Sequence, residues 1–172
     1  FSLAREYLTA HNITWYDVEG FEGDDIIGTL VDFGEKNNLK VSVYTGDKDA
    51  FQLISPQTTI YRTVKGVTEL DIYNEQTLLD KYGLKPDQFR DFLGLMGDSS
   101  DNIPGIKGVG EKTALKLLHQ YGTIEGLQEH QDEIKGKMGE KIRAGMEDAL
   151  MSKKVATILR DVPLDVDLKK AE

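Results

Sequence analysis

The chain has 172 residues, 39% hydrophobic and 30% charged, which is enough for one substantial globular core with a small appended helical unit. It has no cysteine, which excludes disulfides and thiol catalysis and leaves oxygen or histidine as metal ligands, and no run reaches the roughly 18 apolar residues of a membrane span. The formal net charge of -9 is the wrong sign for a nucleic-acid binder at first sight, but bound divalent ions would offset part of it if the carboxylates are clustered.

The first residues read as the interior of a helix over 2–11, with Leu3, Tyr7 and Leu8 at helical spacing. They carry no basic start followed by an apolar block, so they are not a signal peptide, and without an initiator methionine the chain is expected to be a fragment. Ile13–Val18 alternates weakly and predicts a short strand. Gly20–Asp25 leads into a helix with a broad apolar face that ends near Asn37 and Asn38. Leu39–Tyr44 is a strand rich in β-branched and aromatic residues, followed by a helical turn around Asp49–Ile54. Thr58–Val64 and Val67–Ile72 are strands about a turn at Lys65 and Gly66. A helix starts at Tyr73 or Asn74 and runs to Tyr82, with Gly83 as its terminator. Pro86 opens another that reaches Met96. Beyond residue 97 the pattern is helical, near 111–121, 123–129, 131–147 and 150–159. Strands alternating with helices in the first half imply an α/β layer with a mainly parallel sheet. Ligands of such sheets collect at the carboxyl ends of the strands. Trp15, Tyr44, Phe51, Phe89 and Phe92 read as core, His119 as a surface or packing residue, and Asp71, Asp80, Asp87 and Asp91 as surface or capping residues.

Acidic residues gather at three stations: Glu22, Asp24 and Asp25; Asp47 and Asp49; Asp98 and Asp101. Each has an ordinary explanation. The first lies at a helix start, where the dipole favours acids. The second is a polar turn and the third a capped loop. Together they suggest a metal cage, because crowded carboxylates repel and cations relieve the repulsion. Hard ions such as Mg²⁺ or Mn²⁺ prefer these oxygen ligands, and two of them can act on a phosphodiester without a protein nucleophile. His11, His119 and His130 show no metal-binding spacing.

Gly105, Lys107, Gly108, Val109 and Gly110, followed by Lys112 and Thr113, fit the turn of a helix–hairpin–helix. Its glycines bend the chain tightly and bring backbone N–H groups near a phosphate, aided by the helix that begins at Glu111. Lys107, Lys112 and Lys116 add charge, and a K⁺ ion is a candidate bridge between hairpin carbonyls and the phosphate. A simple packing turn is the bland alternative. The basic run Lys135, Lys137, Lys141 and Arg143 either tracks a duplex backbone or is a solvated helix face.

Joined, the blocks Phe21–Asp25, Gly46–Leu53, Gly94–Gly105 and Gly108–Ala114 resemble the 5′-nuclease (flap endonuclease-like) family. Within it they are most like the bacterial 5′→3′ exonuclease domains that are fused to a polymerase. The resemblance implies a Rossmann-like (PIN-like) core over 1–96 and a helical helix–hairpin–helix unit over 97–172. It implies that Glu22, Asp24 and Asp47 serve a first metal site and Asp49, Asp98 and Asp101 a second, with Asp24 facing both ions and Asp25 behind them. It further implies cleavage of 5′ flaps, nicked duplexes and RNA primer–DNA hybrids in replication and repair, in the cytoplasm. Family members begin with a strand bearing a metal-binding aspartate and then a basic helical arch, neither of which precedes Phe1. The intact protein is therefore expected to be a nuclease and this chain alone to be inactive or very weak. A free-standing exonuclease, a PIN-type ribonuclease and a non-catalytic duplex-DNA-binding module are the competing readings. The last leaves the clustered carboxylates unexplained, since a bare acidic pocket beside DNA costs affinity.

Overall fold

The computed structural model describes residues 1–66 and 68–167. Val67, expected to begin a strand, lies outside the described residues. Helix α1 (Ser2–Ala10) forms where the spacing of Leu3, Tyr7 and Leu8 places it, yet it buries none of its residues. Segment 13–18 forms no strand, and no ladder partner lies beside it among the described residues. It folds back on α1 instead: the Trp15 indole N–H donates to Thr9 Oγ1 at 3.2 Å, and the Arg5 guanidinium stands 4.6 Å from the Trp15 ring centroid. Trp15 is therefore 40% exposed and not a core residue. A strand without a neighbour has no layer against which to press its apolar side.

Helix α2 (Gly23–Lys36) has Asp24 and Asp25 in its first turn and turns Ile26, Gly28, Val31 and Gly34 inward. It ends as expected, with Asn38 in the left-handed region at φ 57°. Strand β1 (Val41–Thr45) leads into a 3-10 helix, Lys48–Leu53, all of whose residues from Asp49 onward are buried. Strands β2 (Thr58–Lys65) and β3 (Glu69–Tyr73) complete a three-stranded sheet in the order β1-β2-β3. β1 and β2 are parallel with Val43 opposite Ile60; β2 and β3 are antiparallel with Ile60 opposite Tyr73. The described sheet is thus mixed: the tight connection after Lys65 can only join antiparallel neighbours. Alternation also corrects Tyr44. Val43 faces the core, so Tyr44 faces away, 65% exposed and stacked on Tyr61 with centroids 4.7 Å apart.

Helix α3 (Glu75–Tyr82) is capped by the Asn74 side chain, which accepts from Thr77 N at 2.9 Å, and ends at Gly83 with φ 65°. Pro86 sits in the turn before α4 (Gln88–Met96). Phe51, Tyr73, Tyr82, Phe89 and Phe92 form the aromatic centre where the sheet layer meets α3 and α4, with Phe51 and Phe89 centroids 5.3 Å apart. Then follow α5 (Glu111–Tyr121), α6 (Ile124–Glu129), a short 3-10 turn over Gln131–Glu133, and α7 (Gly136–Ala156). Where the pattern suggested two helices, over 131–147 and 150–159, α7 is one continuous helix of 21 residues. Glu147–Leu150 contains no residue that breaks a helix. α4 packs between α5 and α7, so a single buried cluster extends from Val31 to Ile158.

Asp91 departs from its surface expectation. It is only 2% exposed, with one carboxylate oxygen 2.8 Å from Lys153 Nζ and accepting from Ile124 N at 2.9 Å, which caps the start of α6. Lys153 also reaches Glu125 at 2.9 Å.

Candidate functional site

The carboxylates converge because three separate chain reversals aim at one cleft. The start of α2 presents Asp24. The end of β1 presents Asp47, whose side chain accepts from Asp49 N at 2.9 Å and so caps the 3-10 helix that carries Asp49 inward. The loop after α4 presents Asp98 and Asp101, closed by an antiparallel bridge between Asp98 and Ile103. Carboxylate oxygens of Asp24, Asp47 and Asp49 lie within 4.8 Å of one another, and those of Asp49, Asp98 and Asp101 do the same. Asp49 belongs to both groups. Asp24, for which the family resemblance implied a place facing both ions, belongs to one.

Two residues of the first station stand apart. Glu22 is the exposed residue preceding α2; it lines the cleft and raises the pKa of Asp24 through its charge, but lies outside both close groups. Asp25 also lines the cleft but lies outside both groups, and its Oδ1 accepts from Leu159 N at 2.9 Å. Asp98 is partly engaged by the Ser100 backbone N–H at 2.8 Å.

Electrostatics follow from that crowding. Burial, then the charges of Asp47, Glu22, Asp101 and Asp25, push the Asp24 carboxyl up to about 6. Asp49 is pushed up further, first by burial and then by Asp47, Asp101 and Asp98. Asp49 is 6% exposed, and its Oδ1 is buried without a hydrogen-bond partner. A buried carboxylate oxygen with no donor, surrounded by four other carboxylates, is an arrangement that a protein tolerates when an external cation completes it. The donor set is all oxygen, which suits Mg²⁺ or Mn²⁺ and not a thiophilic ion.

The hairpin lies at the end of the same loop. Gly105 and Gly108 have φ 60° and 87°, values that a side chain would strain. Not all of the expected phosphate-facing residues are available to a ligand. Gly105 is buried and its N–H donates to Ser152 Oγ at 3.0 Å. Val109 is 5% exposed and its N–H donates to Ile106 O at 3.0 Å. Gly108 and Gly110 are exposed, and their N–H groups have no partner among the described residues. Lys107 and Lys112 are exposed beside them, and Thr113 is half-buried in the first turn of α5. Of the basic run, Lys141 brings its Nζ to 3.0 Å from where a Cβ on Gly108 would stand, so it belongs to the hairpin. Arg143 does not; it donates to Gln131 O and Ile134 O, both at 3.0 Å. His119 Nε2 lies 3.2 Å from Tyr82 O, a packing role.

Sequence reasoning missed Gln52, Thr29 and Ser152. Gln52 is 6% exposed and bonds the chain just beyond α7. A polar residue amid the apolar run Ala50, Phe51, Leu53 and Ile54 was the available signal.

A family model described as the 5′-3′ exonuclease N-terminal resolvase-like domain matches residues 1–83, and one described as the 5′-3′ exonuclease C-terminal SAM fold matches residues 84–172. The chain is 49% identical over 169 residues to DNA polymerase I of Bacillus subtilis, covering 98% of this chain and 19% of that protein. It therefore spans about a fifth of the length of such curated relatives. Its fold is similar to bacteriophage T5 D15 flap endonuclease, solved as a pseudo-enzyme–product complex with DNA and metal ions, with a TM-score of 0.75 at 18% identity over 88% of this chain and 55% of that one. It is also similar to the catalytic core of Rad2 in complex with a DNA substrate, with a TM-score of 0.62 at 16% identity over 93% of this chain and 56% of that one.

Proposed function

The chain belongs to the 5′-3′ exonuclease family, and on that premise we propose that it forms the greater part of a divalent-metal-dependent 5′→3′ exonuclease and 5′-flap endonuclease acting on DNA. The observation that carries the proposal is the shared Asp49: two acidic triplets meet at one buried carboxylate whose Oδ1 no protein donor satisfies. Asp24, Asp47 and Asp49 would hold one Mg²⁺ or Mn²⁺, and Asp49, Asp98 and Asp101 a second, with Glu22 at the rim and Asp25 structural. When bound, such ions supply Lewis acidity and counter-charge for a phosphodiester.

The protein's own part is positioning. Short caps hold Asp47 and Asp98 in place, which keeps the oxygens convergent despite their repulsion. The exposed N–H groups of Gly108 and Gly110, with Lys107, Lys112, Thr113 and Lys141, address the sugar–phosphate backbone of a duplex and not its bases. A 5′ flap, a nick and an RNA primer–DNA hybrid all fall within that substrate class, and K⁺ at the hairpin would add charge to the same contact. In this reading the division lies at 96/97, with the acidic core before it and the duplex-gripping unit after it. The relatives' name supports a fused polymerase, and with it we propose work in replication and repair in the cytoplasm.

The test is cleavage of a labelled 5′-flap duplex by the full-length gene product with Mg²⁺. Asp49→Asn is expected to lower the rate by at least about 100-fold while leaving duplex affinity in EDTA within about threefold. Equal loss of binding and cutting, or no loss of either, would overturn the assignment.

A further inference from the structure

Helix α7 is fastened at both ends to functional elements. Along its length Lys141 leans on Gly108, Gly145 packs against Ile106, and Ser152 accepts the Gly105 N–H at 3.0 Å, so the helix carries the hairpin. The segment that follows it, 157–162, is strapped to the acidic cleft. Gln52 Nε2 donates to Ala156 O at 2.9 Å and Gln52 Oε1 accepts from Ile158 N at 2.9 Å, both bonds buried. Leu159 N donates to Asp25 Oδ1 at 2.9 Å, and Val162 N donates to Thr29 Oγ1 at 3.0 Å. Gly28 permits the approach: a Cβ there would lie 2.5 Å from Leu159 O. Gln52 lies three residues after Asp49 in the same 3-10 helix, one full turn along it. Both ends of its amide are engaged, so the side chain has one orientation and couples the Asp49 turn directly to the end of α7.

We propose that Gln52 is a positioning residue that sets which phosphodiester is cut, by fixing the distance between the duplex held at the hairpin and the acidic cleft. The inference rests on the nuclease reading above and deepens it. Both polar ends of Gln52 are engaged by the strap and the end of α7, so it acts through them. Were it only a stability element, its loss would lower the melting temperature and leave the cut where it was. As a register element, its loss lets the two contact points shift relative to one another, and a displacement near 1 Å in reacting geometry is costly.

The experiment uses the full-length gene product and a 5′-flap duplex labelled on the cut strand, under single turnover with Mg²⁺, reading product lengths at nucleotide resolution. The wild type is expected to give one dominant product. Gln52→Glu, which keeps the size but cannot donate to Ala156 O, is expected to spread cutting to neighbouring phosphodiesters and to lower the single-turnover rate constant by about tenfold, with EDTA-measured duplex affinity within about twofold. Thr29→Val removes a separate strap contact and is expected to shift products in the same direction by a smaller amount; it decides the matter if Gln52→Glu fails to fold. Unchanged product lengths in a folded variant, or duplex affinity falling in step with rate, would overturn the inference while leaving the nuclease assignment intact. A wild type that does not cut at all would remove both.

Discussion

Two buried aspartates separated by 42 positions in sequence, Asp49 and Asp91, meet opposite fates. Asp91 is answered by the protein itself: Lys153 at 2.8 Å supplies the counter-charge and the Ile124 N–H at 2.9 Å supplies a hydrogen bond. Asp49 finds no counter-charge among the described residues: its Oδ1 has no donor, and its close neighbours are Asp24, Asp47, Asp98 and Asp101. The fold is plainly able to neutralise a carboxylate within its core. That it leaves Asp49 unneutralised marks the cleft as a place built for something added, and the Asp91 cluster as a place built only to hold helices together.

That contrast is most severely tested by Asp91→Ala. It leaves Lys153 with only the exposed Glu125 as a partner and leaves the Ile124 N–H of α6 unpaired, so a loss of about 3–5 kcal/mol in urea unfolding is expected. A loss below about 1 kcal/mol would erase the distinction between the two sites. Next in size is metal. Mn²⁺ at about one hundred times its dissociation constant should stabilise the protein by about 2.7 kcal/mol, and the gain should vanish in Asp49→Asn; stabilisation that survives this substitution would place the ion elsewhere. Without metal, and above about pH 8 where Asp49 would carry its charge, Asp49→Asn should raise the melting temperature by a few degrees, since it removes a charge from a desolvated, like-charged cluster, whereas the equivalent change at Asp91 should lower it.

The smallest effect concerns pH. Burial alone would raise Glu125 and lower Lys153, but their mutual hydrogen bond, with Asp91 adding to Lys153, leaves Glu125 below its ordinary value of 4.5 and Lys153 above 10.5. A depressed carboxyl stabilises the fold above its unfolded value and loses that contribution as pH falls through the folded one. A raised lysine stabilises below its unfolded value and loses that contribution as pH rises through the folded one. Glu125→Gln should therefore lower stability by a small, constant amount above about pH 4.5, and the difference from the wild type should disappear as pH falls through the depressed Glu125 value, seen in urea unfolding at about pH 7 and about pH 3. Equal stability of the two proteins at about pH 7 would show the exposed Glu125 arm to be irrelevant.

The acidic stations and the hairpin were legible because they are local: short runs with unusual composition announce themselves, and turn chemistry fixes where they lie. Most helices were legible for the same reason, through spacing and caps such as Asn74 and Gly83. What failed was whatever depended on a neighbour. Residues 13–18 have strand composition but no strand beside them among the described residues, and Trp15 follows them out of the core. Tyr44 is apolar enough for the interior, but Val43 took that face. The partition of the carboxylates could not be read either. Asp24, Asp25 and Asp49 are chemically equivalent in sequence, and only packing decides that Asp25 holds Leu159 while Asp49 sits at the junction of two groups. Gln52 gave only the signal of a polar residue in an apolar run, and its role was not legible because its partners lie more than one hundred positions away.

The unbroken run of α7 has a consequence for how such chains can vary. Adding or deleting one residue within it would turn everything beyond by about 100° and shift it by about 1.5 Å, so Lys141 and Ser152 would no longer address the same side. Length changes should therefore be barred between Lys141 and Ala156 in any functioning descendant, while the connection between α6 and α7 remains free to lengthen or shorten.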